Sequence, residues 1–496
     1  MSSSSSSSCS ISSRRPVVCH TADFEEDRDY FDRSDLAAKL VQVAKEGGPW
    51  DADDYRDYDF VHGLVHGWTW VELPGADLCQ CADVLRAFGA LDYPLYLRFA
   101  SPISLAKDWQ VHMRLAWSRT WQAFISLLST DLSGDQPPSL QSQELSEVLY
   151  ACAKLRHQPP PDQLQLLLKA FMRPAVFSAA EPQAIAKVIW ALGQLSSRDG
   201  WAIIEVSPGL MQLIKKGWTA ETLASSHDLV QQLLNPGVVK GFQHLLSFDH
   251  FHEVLRIDGF DANREARQVA PRAVSTLLVG LARMCQGSTP LLSVAAAQGY
   301  AGQVLSGLQL RVLPTGYFDW TPEQITTTLW ALGVLQLRDE GFIRAAAASF
   351  GRQIRSPTGS DIIRAVTALA RLQYHDQNFM RELLEFADLL ARAPGVAGEV
   401  LTNAELYSLD KICAAIVMLD MRQLAGLARL LLARSTYFNR STYPRDSLRR
   451  LWVFHSWLVE HKLAGKKGLE GFPCLEGNQL QDAAEEAAKW GDKPLL

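Results

Sequence analysis

The chain has 496 residues, of which 47% are hydrophobic and 21% are charged, and its net charge is −6. This composition is typical of a globular protein, and the negative charge argues against a protein that is basic throughout and coats nucleic acid. The length is sufficient for about three ordinary domains or for one long repeat array.

Charge is distributed unevenly along the chain. Residues Asp23–Asp59 contain thirteen acidic and five basic residues, a net charge of −8, whereas Met421–Glu470 contain three acidic and ten basic residues, a net charge of +7. A basic segment of this kind can bind phosphates, and it can equally be the solvated face of a helix.

The first twenty residues differ in composition from the rest of the chain. They contain seven consecutive serines, Arg14 and Arg15, and no acidic residue. This composition is typical of an organelle transit peptide and also of a disordered low-complexity tail. We therefore expect residues 1–20 to be a transit peptide or a tail, followed by an acidic N-terminal region over residues 21–77.

An eleven-residue pattern recurs seven times in the chain. Its copies, which align without gaps, are Cys81–Leu91, Leu145–Leu155, Ile185–Leu195, Val274–Met284, Ile325–Leu335, Ile362–Leu372 and Leu409–Leu419. When the first residue is position 0, positions 0, +4, +7 and +10 are apolar, position +6 is always alanine or glycine, and position +8 is small in every copy except the last. Apolar residues at this spacing form one stripe of an α-helix, and small residues beside the stripe allow a neighbouring helix to approach closely. The sequence predicts an all-α fold, an α-solenoid of stacked helix-pair repeats with about seven recognisable units.

Candidate second helices lie between these predicted first helices and are separated from them by proline and glycine. They are Asp162–Met172, Phe342–Ile354, Phe379–Leu390 and Arg422–Leu432. The predicted solenoid covers residues 78–435, and residues 436–496 are predicted to form a basic helical cap and tail.

Two intervals between copies are irregular. The first two copies start 64 residues apart, which suggests an insertion near Ser101–Trp117. The third and fourth copies start 89 residues apart, which leaves room for one degenerate unit. The best strand signal in the chain is Trp68–Leu73, which is short and rich in β-prone residues.

Two of the repeat copies resemble a known family. The segments IWALGQL at Ile189–Leu195 and LWALGVL at Leu329–Leu335 are similar to the core motif of octotricopeptide repeat proteins. The resemblance implies stacked helix pairs that bind RNA in chloroplasts or mitochondria and that affect transcript stability, processing or translation. The segment Leu448–Lys462 is similar to the helix that often precedes a RAP domain in such proteins, but the pattern of that domain does not follow.

The polar side of each predicted first helix is the expected binding surface. At about 100° per residue, positions +2 and +9 lie within about 20° of each other, opposite the apolar stripe. The predicted RNA-binding residues at these positions are Lys154, Lys187, Arg283, Arg364, Arg371 and Lys411. They can contact phosphates or base edges, and they can also be ordinary solvent-exposed side chains. Because we interpret them as exposed, we expect combined replacement of Lys154, Arg283 and Arg371 by glutamate to leave the fold intact.

Position +5 lies between the apolar stripe and the polar side. It is aromatic in three copies, at Tyr150, Trp190 and Trp330. Such rings can stack on bases, and more often they pack between repeats, so packing is the expectation here.

Motifs for catalysis are not found in this sequence. It has no phosphate-binding P-loop, no serine-hydrolase elbow and no zinc-protease motif, and His62, His66, Cys79 and Cys81 match no common zinc-finger spacing. We therefore expect no enzyme, no cofactor and no metal, and the lack of a long apolar run predicts no membrane insertion.

Two functions remain open. The first is an organellar RNA-binding protein acting in post-transcriptional gene expression, with single-stranded RNA as partner and the chloroplast, or alternatively the mitochondrion, as location. The second is a protein-binding scaffold or a structural subunit of an organellar ribosome, with ribosomal or other proteins as partners.

Overall fold

The computed structural model describes residues 36–45, 63–91, 105–134, 137–155, 157, 159–196, 232–245, 263–286, 292–306, 320–352, 358–392, 409–435, 445–463, 469 and 479–490. All elements of this part of the chain are helices, as the repeat pattern predicts. The expected transit peptide or tail at residues 1–20 lies outside the described residues.

The helices follow one another in the order that the repeat predicts. In chain order they are α1 (Leu36–Lys45), α2 (Leu78–Ala90), α3 (Leu105–Ser133), α4 (Ser142–Lys154), α5 (Pro161–Phe171), α6 (Pro174–Phe177), α7 (Pro182–Ser196), α8 (Pro236–Leu245), α9 (Asn263–Met284), α10 (Val294–Ser306), α11 (Pro322–Leu335), α12 (Glu340–Arg352), α13 (Gly359–Arg371), α14 (Gln377–Arg392), α15 (Leu409–Met418), α16 (Ala425–Ser435), α17 (Arg445–Glu460) and α18 (Gln479–Trp490). Short π- and 3-10-helical turns lie at Trp68–Glu72, Leu73–Gly75 and Arg422–Leu424. The seven copies of the pattern lie in α2, α4, α7, α9, α11, α13 and α15, which we call the first helices.

First helices pack against one another in chain order. Each contacts the next from α2 to α15, and α1 and α17 contact the two ends of this series. The second helices α3, α5, α8, α10, α12, α14 and α16 each contact the first helix that precedes them. Buried apolar side chains from both sets belong to one continuous core.

Small residues mark the points where consecutive first helices touch. At three junctions, the +8 glycine of one first helix faces the +6 residue of the next. These pairs are Gly89 with Ala151, Gly193 with Gly280, and Gly333 with Ala368. A Cβ atom built on Gly193 would lie 2.5 Å from the carbonyl oxygen of Gly280, so the two backbones are in contact there. The small positions in the sequence pattern therefore have a direct structural cause.

Capping boxes define where several first helices begin. Thr321 caps α11, and its backbone N–H donates to Gln324 Oε1 at 2.9 Å in return. Thr358 caps α13 in the same way with Asp361, which also accepts a hydrogen bond from Thr326 Oγ1 on α11 at 3.1 Å. The cap of α13 thus also fixes the position of α13 along α11.

The strand signal at Trp68–Leu73 does not correspond to a strand, because this segment is helical and Trp68–Glu72 forms a π-helical turn. The indole of Trp68 is fully buried, and its Nε1 donates to Thr120 Oγ1 on α3 at 2.9 Å. The carboxylate of Glu72 accepts from backbone N–H groups at the start of α1. These contacts with distant helices outweigh the β propensity of the local sequence.

The two irregular intervals have different explanations. The 64-residue interval holds α3, a single helix of 29 residues that includes most of the expected insertion at Ser101–Trp117. Most of the residues left for a degenerate unit in the 89-residue interval, between Trp201 and Arg272, lie outside the described residues, and α7 and α9 contact each other directly. Helix α8 contacts α7, α9 and α10, and so takes the place of a second helix for α7.

Candidate nucleic-acid interface

The residues at positions +2, +5 and +9 of the first helices form one surface, which we call the polar face. All seven +2 residues are half-buried, and so are all +9 residues except the exposed Ala90. Equivalent positions of consecutive helices are neighbours across this face. Lys187 Nζ lies 2.8 Å from Glu147 Oε1, both at +2, and the rings of Tyr150 and Trp190, both at +5, have centroids 4.5 Å apart. The expectation that +5 rings pack between repeats is confirmed for this pair.

Charges in the N-terminal part of the polar face are paired with one another. Glu147 pairs with Lys187 and with Arg86, and Arg86 also lies 2.8 Å from Asp83 Oδ1. Burial raises the pKa of Glu147, but the hydrogen bond from Lys187 and the charges of Lys187 and Arg86 outweigh this effect, so its pKa is lowered. These two acids and two bases cancel, so this paired group offers no net charge to a phosphate, and Lys154 at the end of α4 is the one further charged residue on this part of the face.

The C-terminal part of the polar face is different. It carries Arg283 on α9, Arg364 and Arg371 on α13 and Lys411 on α15, which we call the basic cluster. The other +2, +5 and +9 residues of α9, α11, α13 and α15 are uncharged: Thr276, Val279, Thr327, Trp330, Val334, Thr367, Ala414 and Met418. No carboxylate on these polar-face positions balances the cluster.

Arg364 has one acidic neighbour, which lies off the polar face. Asp361 Oδ1 is 3.7 Å from Arg364 Nη1, but Asp361 is buried and already accepts hydrogen bonds from Thr326 and Thr358. The Arg364 side chain is 43% exposed, so its guanidinium remains accessible to a ligand.

Arg283 is the most buried member of the basic cluster. Its guanidinium lies 5.2 Å from the ring centroid of Trp190, and its Nη1 is buried without a hydrogen-bond partner in the described part of the chain. The pKa of Arg283 is lowered to about 10, mainly by burial and then by the nearby charge of Arg364, while Tyr150 acts in the opposite direction. A phosphate oxygen would satisfy both the unused donor and the charge.

Lys411 and Arg371 complete the cluster. Burial lowers the pKa of Arg371, and it also lowers that of Lys411. At Lys411, Asp410 opposes this shift, whereas the positive charges of Arg450 and Arg371 add to it. Lys411 is therefore close enough to both arginines for their positive charges to repel its own.

Arg450 on α17 is a neighbour of the cluster that the repeat pattern did not identify. Its Nε donates to the buried carboxylate of Asp410 at 2.5 Å. The repeat alignment missed Arg450 because α17 is not one of the seven copies. The positive charge of the segment Met421–Glu470 was the sequence signal that pointed to it.

The structure thus separates the six predicted residues into two groups. Four of them form the basic cluster, whereas Lys187 is held by Glu147, and Lys154 is the half-buried last residue of α4. The expectation of exposure is wrong for Arg283. A glutamate at that position would lose the contact with the Trp190 ring and place a partly dehydrated carboxylate there, so the triple glutamate variant should be less stable than the wild type.

Neither a metal site nor a membrane span is found in the described part of the chain. No group of three or more His, Cys, Asp or Glu side chains there is arranged to hold a metal ion. His66 packs beside Trp70, with ring centroids 6.3 Å apart, and His62 lies outside the described residues. No described helix combines the length and the apolar character that crossing a membrane requires.

Comparison with known proteins adds no assignment. No protein-family model matches this chain, and no curated protein is significantly similar to it in sequence. The polar face and the two motif segments at Ile189–Leu195 and Leu329–Leu335 are therefore the features that bear on function.

Proposed function

We propose that this chain is an α-solenoid that binds single-stranded RNA along the polar face of its first helices. The series of first helices, each in contact with its own second helix, supports the solenoid arrangement. The recurrent contact between a +8 glycine and the next +6 residue supports it as well, because it repeats one packing geometry along the chain.

The observation that carries the RNA-binding proposal is the basic cluster. Its half-buried positive charges repel one another and are partly dehydrated, which costs free energy in the unliganded protein. A phosphate backbone offsets both effects, since it brings negative charge and oxygen acceptors to the same surface. Equivalent positions on consecutive helices suit a linear polymer, and helical repeats of this kind can read about one base per unit.

We propose further that the protein acts in organellar post-transcriptional gene expression. The composition of residues 1–20 and the similarity of Ile189–Leu195 and Leu329–Leu335 to octotricopeptide repeats support this location and role. The chloroplast is the first candidate organelle and the mitochondrion the second. The proposed role is binding rather than catalysis, because the polar face presents donors and charges and no catalytic constellation.

Binding should be measured by fluorescence anisotropy with a labelled random-sequence single-stranded RNA pool over a range of salt concentrations. Each phosphate contact contributes about −0.7 to the slope of log K against log salt for single strands. The double variant Arg364→Gln/Lys411→Gln should therefore reduce the slope by about 1.4 and weaken binding about tenfold to a hundredfold. The matched control is Arg344→Gln on second helix α12, whose side chain is 71% exposed, and it should bind like the wild type.

Three results would contradict the proposal. Wild-type protein that shows no salt-dependent binding would exclude RNA as the partner of the basic cluster. Equal losses in the Arg344→Gln control and in the double variant would mean that total charge, rather than the polar face, determines binding. A protein co-purifying in stoichiometric amount without RNA would favour the scaffold function instead.

A further inference from the structure

The three aromatic residues at +5 have different surroundings, although they occupy equivalent positions. Tyr150 and Trp190 contact each other, and the guanidinium of Arg283 covers part of the Trp190 ring. These two rings are therefore occupied within the protein. Trp330 on α11 is half-buried, and its indole makes no ring, cation–π or hydrogen-bond contact with any described residue.

The +5 residues on the helices beside Trp330 are small. Because equivalent positions of consecutive first helices lie side by side, the +5 neighbours of Trp330 are Val279 on α9 and Thr367 on α13. Both are buried, and the Thr367 hydroxyl donates to its own helix, at Ile363 O, at 2.8 Å. Short, inward side chains therefore flank this indole, where Trp190 instead has a ring and a guanidinium beside it.

Basic residues lie on both helices that contact α11. Arg283 is on α9, which contacts α11 from one side, and Arg364 and Arg371 are on α13, which contacts α11 from the other. An aromatic surface between two groups of basic side chains is the arrangement that single-stranded nucleic acids bind, since bases stack on the ring while phosphates meet the charges.

We propose that Trp330 is the stacking platform for one unpaired base, and that the strand crosses the polar face at α11 with its phosphates on Arg283, Arg364 and Arg371. This inference rests on the proposed RNA-binding function and assigns the base-contacting residue of that same surface. It also predicts that the basic cluster alone binds polyanions, whereas Trp330 adds a preference for a chain that carries bases.

The test compares two probes on the full-length chain: a labelled random-sequence single-stranded RNA pool, and inorganic polyphosphate, which has charge but no bases. Trp330→Leu should weaken RNA binding about tenfold, the order expected for one lost base stack, and should leave polyphosphate binding unchanged. Trp330→Phe, which keeps a ring, should recover most of the loss. Trp70→Leu removes a 49% exposed tryptophan away from the polar face and is the control that should behave like the wild type.

The outcomes separate this inference from the proposed function. If Trp330→Leu binds RNA as tightly as the wild type while Arg364→Gln/Lys411→Gln binds weakly, RNA binding stands and the role of Trp330 is refuted. If the wild type binds no RNA, both are refuted. Should Trp330→Leu fail to fold, ultraviolet crosslinking of wild-type protein to RNA decides the matter: a crosslink on the tryptic peptide that carries Trp330 supports the inference, and crosslinks confined to other peptides overturn it.

Discussion

Replacement of Gly193 by alanine should destabilise the protein, because this residue lies where α7 and α9 touch. The added Cβ would be 2.5 Å from the carbonyl oxygen of Gly280 and 3.1 Å from Arg283 Cβ. A backbone carbonyl cannot rotate away as a flexible side chain can, so the two helices must separate. Overpacking of this kind typically costs about 1–3 kcal/mol, which exceeds the gain of about 1 kcal/mol from placing alanine instead of glycine in a helix. We expect a net loss of up to about 2 kcal/mol in the free energy of unfolding.

Two other glycines provide matched controls for this substitution. A Cβ on Gly302 of α10 would meet nothing within 4 Å, so Gly302→Ala should stabilise the protein by up to about 1 kcal/mol. A Cβ on Gly333 would lie 3.4 Å from Ala368, in ordinary van der Waals contact, so Gly333→Ala should fall between the other two. The expected order of stability is Gly302→Ala above Gly333→Ala above Gly193→Ala.

Urea unfolding followed by far-ultraviolet circular dichroism measures this order. Midpoints should be compared along with extrapolated free energies, since repeat arrays do not always unfold in a single step. A Gly193→Ala midpoint equal to or above that of Gly302→Ala would refute the direct contact of α7 and α9, and with it the continuous series of first helices.

Two further predictions follow from buried charges. Glu147→Gln should release Lys187 from its ion pair and leave Arg86 paired with Asp83, so RNA binding should strengthen and the salt slope should steepen by about 0.7; an unchanged affinity would mean that the strand does not reach α4. His157 packs against Trp117, with ring centroids 5.4 Å apart, and burial lowers its pKa from 6.5 to about 4, so the folded state resists protonation. The unfolded chain takes up that proton as the pH falls below about 6.5, so stability should decrease by about 3 kcal/mol between pH 6.5 and pH 4. In urea unfolding experiments, His157→Phe should not show this loss of stability between pH 6.5 and pH 4. An identical pH dependence of stability in variant and wild type would show that His157 is not buried in its neutral form.

The fold could be predicted from the sequence wherever the packing of one helix face produces a regular spacing of apolar and small residues. Apolar stripes and small residues such as Gly193 and Gly333 reflect the packing of each first helix on its neighbours, and this periodicity is visible in a single chain. The helical turn at Trp68–Glu72 was not predictable, because contacts with distant helices α1 and α3 determine it. The direct contact of α7 with α9 across the 89-residue interval was not predictable either, because it joins helices that are far apart in sequence.

The candidate site was predictable only in part. A helical wheel identifies the side of a helix on which Lys187 or Arg364 lies, but it contains no information on the neighbouring helix. The pairing of Lys187 with Glu147 depends on the register between α4 and α7, and the burial of Arg283 depends on where Trp190 lies in α7. Both follow from packing between helices, which residues far apart in sequence determine together.

The proposal that this chain binds RNA through the basic cluster is tested most directly by crosslinking and immunoprecipitation of the tagged protein from its organelle. RNA and co-purified proteins should be identified from the same sample, with wild type and Arg364→Gln/Lys411→Gln compared at equal expression. We expect one sharp peak on one transcript for the wild type and its loss in the variant. Recovery of a full set of ribosomal proteins with ribosomal RNA, or of a protein partner without RNA, would contradict the account and favour the scaffold function.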